Sequence, residues 1–90
     1  MDKNFEHLIK VNTQGRVFVT CQARGVTDPA IVGFYVEILE QAIFSILGDD
    51  STVAEFHQVL NEQLAWLEGE LFQGILFEVG HGFSRSRRAA

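Results

Sequence analysis

From Phe5 to Val11 the chain alternates, with Phe5, His7, Ile9 and Val11 on one face of an extended strand and Glu6, Leu8 and Lys10 on the other. Asn12-Thr13-Gln14-Gly15 follows as a turn, opened by a turn former and closed by a glycine free to take positive φ. Arg16 to Ala23 alternates again, Val17, Val19, Cys21 and Ala23 against Arg16, Phe18, Thr20 and Gln22. Two period-two runs about a short glycine-ending turn predict a β-hairpin over 5–23.

The period then changes. Asp28-Pro29 is a helix start, with Asp28 placed to cap free amides and Pro29 at a position whose N–H is not needed. The predicted helix covers 29–47 and stops at Gly48, a residue suited to the left-handed C′ position. Its polar stripe is narrow, formed by Gly33, Glu37, Glu40 and Gln41, and Phe44 falls inside it. Apolar residues on the remaining circumference imply burial on more than one side. Gly48-Asp49-Asp50-Ser51 is a short connection, which predicts an antiparallel second helix over 53–71. Thr52 and Glu55 have capping-box spacing, and Val53, Phe56, Leu60, Leu64, Leu67 and Leu71 line one face, with Val59 and Trp66 on its flank.

Beyond Leu71 the stripe scatters, and Ile75, Phe77 and Val79 alternate between Gly74 and Gly80. These residues predict a third strand over 74–79. The rival is continued helix, because each interior glycine costs only about 1 kcal/mol. The fold expected from the pattern is α+β, in the order ββααβ. One domain covers 1–83, and a basic mobile tail covers 84–90.

Composition leaves that picture in place. Ninety residues suffice for one domain, and 47% hydrophobic with 21% charged residues is globular rather than disordered. The single cysteine, Cys21, cannot form an internal disulfide, so a reducing cytoplasmic setting is the expectation. The first residues lack the basic start and apolar run of a signal peptide, and Glu37, Glu40 and Gln41 interrupt the longest apolar stretch.

Charge changes the picture more. Every lysine and arginine lies at Lys3, Lys10, Arg16, Arg24, Arg85, Arg87 or Arg88, while residues 25–84 hold ten acids and no base. The net charge of −5 thus conceals a strongly acidic middle between two basic ends.

Catalytic and metal signals are weak. His7, His57, His81 and Cys21 have no ligand-pair spacing, so no metal or cofactor is expected. Cys21 alternates with apolar residues, the setting of an inert buried thiol. Glu37 with Glu40, Glu68 with Glu70, and Asp49 with Asp50 read as solvated or turn-forming acids rather than a general acid–base pair. No phosphate-binding loop is present. The acidic middle opposes direct nucleic-acid binding through the hairpin bases and the tail arginines.

Association is the expectation that survives. The apolar surplus predicts a homodimer or higher oligomer, with Phe44, Trp66, Tyr35 and Phe72 at the interface. Glu37, Glu40, Glu55, Glu62 and Glu68 are expected to face a basic protein partner, and Arg85, Arg87 and Arg88 form the basic tail. The expected class is a non-enzymatic interaction or regulatory module. The alternatives are a small-ligand domain with a Phe-lined pocket opening near His57 and Tyr35, nucleic-acid binding through the basic hairpin and tail despite the acidic middle, and an interfacial enzyme site around His7 and His81.

Overall fold

Asp2 holds the start of the first helix. Its carboxylate accepts from the Asn4 amide at 3.1 Å, and its carbonyl accepts from Glu6 N at 3.0 Å. From there the computed structural model, which describes residues 1–89 and side chains only as far as Gln73, runs as α-helix α1 over Lys3–Ala23. At its end Val26 N donates to Cys21 O and Gly25 N to Gln22 O, with Gly25 at φ 78°. This is a Schellman cap, and half-buried Val26 supplies its apolar contact against the core.

The hairpin expected over 5–23 is therefore wrong, and so is the α+β class: among the described residues there is no strand. The reason lies in the residues that fill the core. Ile9, Thr13, Val17 and Cys21 are fully buried and stand four apart. Four residues are two full periods of a strand and 400° of a helix, so this row shares a face in either structure. What separates the two are the residues between. A strand would bury His7, Val11, Val19 and Ala23 with the row, yet all four are exposed. Thr13, expected in the turn, lies in the core instead.

Helix α2 spans Pro29–Ile46. Asp28 caps it, accepting from the Ala30 amide at 3.0 Å, and Pro29 stands in the first turn. Its end differs from the expected glycine stop. Leu47 is buried and extended (φ −78°, ψ 141°), and it leaves the helix while still donating to Ile43 O at 2.9 Å. Gly48 keeps out of the left-handed region and is fixed by Ser51, whose hydroxyl accepts from Gly48 N at 2.8 Å.

Helix α3 spans Val53–Ala89. Thr52 caps it, its hydroxyl accepting from Glu55 N at 3.1 Å. The strand expected over 74–79 is absent because the α-helical backbone continues through it, and the side chains of the basic tail expected over 84–90 lie outside the described residues. Alternation over five residues could not outweigh propagation from a helix already nucleated and packed.

The three helices contact one another pairwise. Three contacts fix their directions. The Met1 amine lies 2.7 Å from Asp49 Oδ1, so α1 begins where α2 ends. Phe5 meets Phe56 edge-on at 6.5 Å, so α1 and α3 start together. Tyr35 meets Trp66 at 6.4 Å, which sets α2 antiparallel to α3. The core joins the α1 row to Leu39, Ile43 and Leu47, and to Phe56, Leu60, Leu64, Leu67 and Leu71 of α3.

Two glycines distinguish this bundle from the hairpin. Gly15 lies in mid-helix with open space where a Cβ would go, so Gly15→Ala is expected to stabilise by about 1 kcal/mol in urea unfolding. A hairpin turn would give the opposite sign. Gly25→Ala is expected to destabilise by about 1 kcal/mol, because it forces a Cβ into the left-handed region. A third test concerns Thr13, whose buried hydroxyl has no hydrogen-bond partner. Thr13→Val keeps the shape, removes that cost and is expected to raise the unfolding free energy by about 1 kcal/mol. A loss of stability would show the hydroxyl to be satisfied.

Candidate protein-docking face

Helix α2 is the anomaly of the bundle. By length and composition it could cross a membrane, yet Leu39 and Ile43 are its only fully buried residues. Its inward edge is shared by half-buried Val32, Tyr35 and Val36, which pack against the core. The two flanks on either side of that edge differ in chemistry.

On the flank toward α3, Ile31, Phe34, Tyr35 and Ile38 follow helical spacing. Phe34 is 60% exposed and Ile31 44%, and Trp66, 43% exposed, continues the surface onto α3 beside half-buried Val59. Phe34 stands edge-on to Tyr35 at 5.8 Å and Tyr35 edge-on to Trp66 at 6.4 Å, so three rings form a connected row. Edge-to-face pairing holds such rings in place without burying them, which leaves their outer faces open for contact.

On the flank toward α1, Glu37, Glu40, Gln41, Phe44 and Ser45 line an open groove of about 650 Å³ together with Glu6 and Lys10. A smaller groove of about 250 Å³, lined in part by Phe18, Pro29 and Val36, lies nearer the start of α2.

The structure sorts the expected site residues as follows. Tyr35 and Trp66 come together. Phe44 is half-buried in the α1–α2 groove, and Phe72, though exposed, points about 120° away from Trp66 around α3. The acids divide as well. Glu37 and Glu40 border the α1 groove, Glu55 and Glu62 share an exposed flank of α3 seven residues apart, and Glu68 lies on another side of that helix. Ile31 and Phe34 were missed as surface residues, although their spacing with Tyr35 and Ile38 was visible in the sequence. A nearly all-apolar helix gives no sign of which apolar residues its neighbours leave uncovered.

The other candidates disperse. His7 is exposed near the start of α1 and Cys21 is buried fourteen residues further along, about 21 Å away. His57 is exposed and tilted against Phe56 at 5.3 Å. Among the described residues no three metal-binding side chains gather. The ligand pocket expected between sheet and helices loses its wall, since there is no sheet, and neither groove reaches His57 or Tyr35. The side chains of His81, Arg85, Arg87 and Arg88 lie outside the described residues.

No protein-family model, curated protein or solved structure matches the chain.

Burial pushes the Cys21 thiol above its ordinary pKa. A neutral, enclosed thiol reacts slowly. Labelling with iodoacetamide at pH 7.5 is therefore expected to be at least about a hundredfold slower in the native chain than in urea. Equal rates would place Cys21 at the surface.

Proposed function

We propose that this chain is a non-enzymatic helical interaction module, and that it docks a protein partner on the apolar flank shared by α2 and α3. The observation that carries the reading is α2, a membrane-grade apolar helix of which its own chain buries only two residues. Connected, partly desolvated aromatic rings are the usual anchors of protein interfaces. Ile31, Phe34, Tyr35 and Ile38 stand at i, i+3, i+4 and i+7, the spacing by which a helix presents one apolar face to a partner.

A lipid bilayer is the competing host for such a surface. At 18 residues α2 is about 27 Å long, slightly short of a hydrocarbon core, and it carries Glu37 and Glu40 near its middle. Carboxylates at that depth are expensive, so a protein partner fits the residues better. A second reading concerns the other flank. Glu6, Glu37 and Glu40 outnumber Lys10 in the groove beside Phe44, which favours a basic segment of a partner there.

A photo-crosslinking residue at Phe34 or Trp66, in the cell that makes the protein, is expected to yield discrete protein adducts. The same residue at exposed Gln22 on α1 is expected to yield none. Phe34→Glu should abolish the adduct formed from position 66 while leaving helical circular dichroism unchanged. Equal adducts from position 22, or co-sedimentation with phosphatidylcholine vesicles in place of adducts, would overturn the reading. For the acidic groove, Glu37→Lys with Glu40→Lys should remove any adduct formed from position 41.

A further inference from the structure

The apolar flank between α2 and α3 follows α2 to its end. Phe34, Ile38, Ala42 and Ile46 succeed one another at four-residue spacing, each one position before a residue of the inward row Tyr35, Leu39, Ile43 and Leu47. Ile46 is 55% exposed, and Ile38 and Ala42 are half-buried, so the row offers apolar surface over about 18 Å. None of its residues is charged. Glu37 and Glu40 stand on the α1 side of the helix, in the groove with Phe44.

The α3 margin of the flank has a different chemistry. Glu55, Val59, Glu62, Trp66 and Glu70 stand at i, i+4, i+7, i+11 and i+15, one stripe along a helix. Acids therefore alternate with Val59 and Trp66, and all three acids are exposed. From Glu55 to Glu70 the helix rises about 22 Å, against about 27 Å for the whole of α2. Residues 25–84 contain no base, so neither α2 nor its turn into α3 can neutralise them. Among the described residues none of the three makes an ion pair. Solvated carboxylates are ordinary on a helix surface. Three of them along the rim of an uncovered apolar face set the charge that suits a partner's edge.

We infer that the partner of this flank is an amphipathic helix with a basic edge. Its apolar face lies along Phe34, Ile38, Ala42 and Ile46 beside Trp66, and its lysines or arginines, seven or eight residues apart, face Glu55, Glu62 and Glu70. The inference rests on the docking reading above and names the chemistry of the partner. Charge also sorts the possible occupants. A second copy pairing through the same flank sets acids against acids, with no base on either side to separate them. A lipid surface of anionic or zwitterionic headgroups gains nothing from the acidic rim. A helix with bases at that spacing meets all three acids, and the rim steers its approach.

Trp66 is the only tryptophan and lies within the flank, so its emission reports what binds there. The probes are three Trp-free helical peptides that share one leucine–alanine face and carry lysine, glutamine or glutamate along both edges. The lysine peptide is expected to shift Trp66 emission to the blue saturably, at least about tenfold more tightly than the glutamate peptide, and to weaken as salt rises. Glu55→Gln with Glu62→Gln and Glu70→Gln should bring the three peptides to equal affinity, and Phe34→Ala should weaken all of them. Equal affinity for the wild type, or a lysine preference that survives the triple exchange, would overturn the basic partner. If such equal binding is still weakened by Phe34→Ala, the docking face stands and only the partner's charge is lost. A Trp66 response to no peptide also overturns the inference, and crosslinks from Phe34 then decide the docking reading separately. So does a chain that dimerises alone in sedimentation equilibrium and loses the dimer with Phe34→Ala, because the occupant is then a second copy.

Discussion

The bundle depends on one row of side chains, Ile9, Thr13, Val17 and Cys21, enclosed between α2 and α3. Three of these four are small, so the neighbouring helices can close on α1 and bring Phe56, Leu60 and Leu67 against Leu39 and Ile43. The row is also where the fold bears a cost. Thr13 brings a hydroxyl into the core without a partner, in a helix that already holds Gly15 and several β-branched residues. Helix α1 has little intrinsic reason to be helical. Its two caps and the burial of this row hold it, so its secondary structure follows from tertiary packing.

Once α1 is seated, the two flanks of α2 are assigned. One edge meets the core, one flank borders α1 with its carboxylates, and the other borders α3 with its rings. A three-helix bundle can cover only one stripe of each member, and α2 has far more apolar circumference than one stripe. The exposed Ile31, Phe34 and Trp66 are therefore what remains when a helix suited to burial on several sides has neighbours on only part of its circumference. The same geometry separates the acids, which the sequence reading had placed on one face. Glu37 and Glu40 are carried to the α1 side and Glu55 and Glu62 to the outer side of α3.

The legible parts were those in which a local signal specifies a local geometry. Asp28-Pro29 fixed where α2 begins, and Thr52 together with the leucine row fixed α3 to Leu71, because capping and 3.6-residue spacing act within a few residues. Charge segregation and the enclosed setting of Cys21 were also present in the chain itself. The rest was not local. A row spaced by four satisfies both periods, so strand or helix in 3–23 was decided by which intermediate residues a third helix could reach. Packing likewise decided that Phe34 would be open to solvent and Phe44 half-covered, because all apolar positions of α2 look alike until neighbours choose among them.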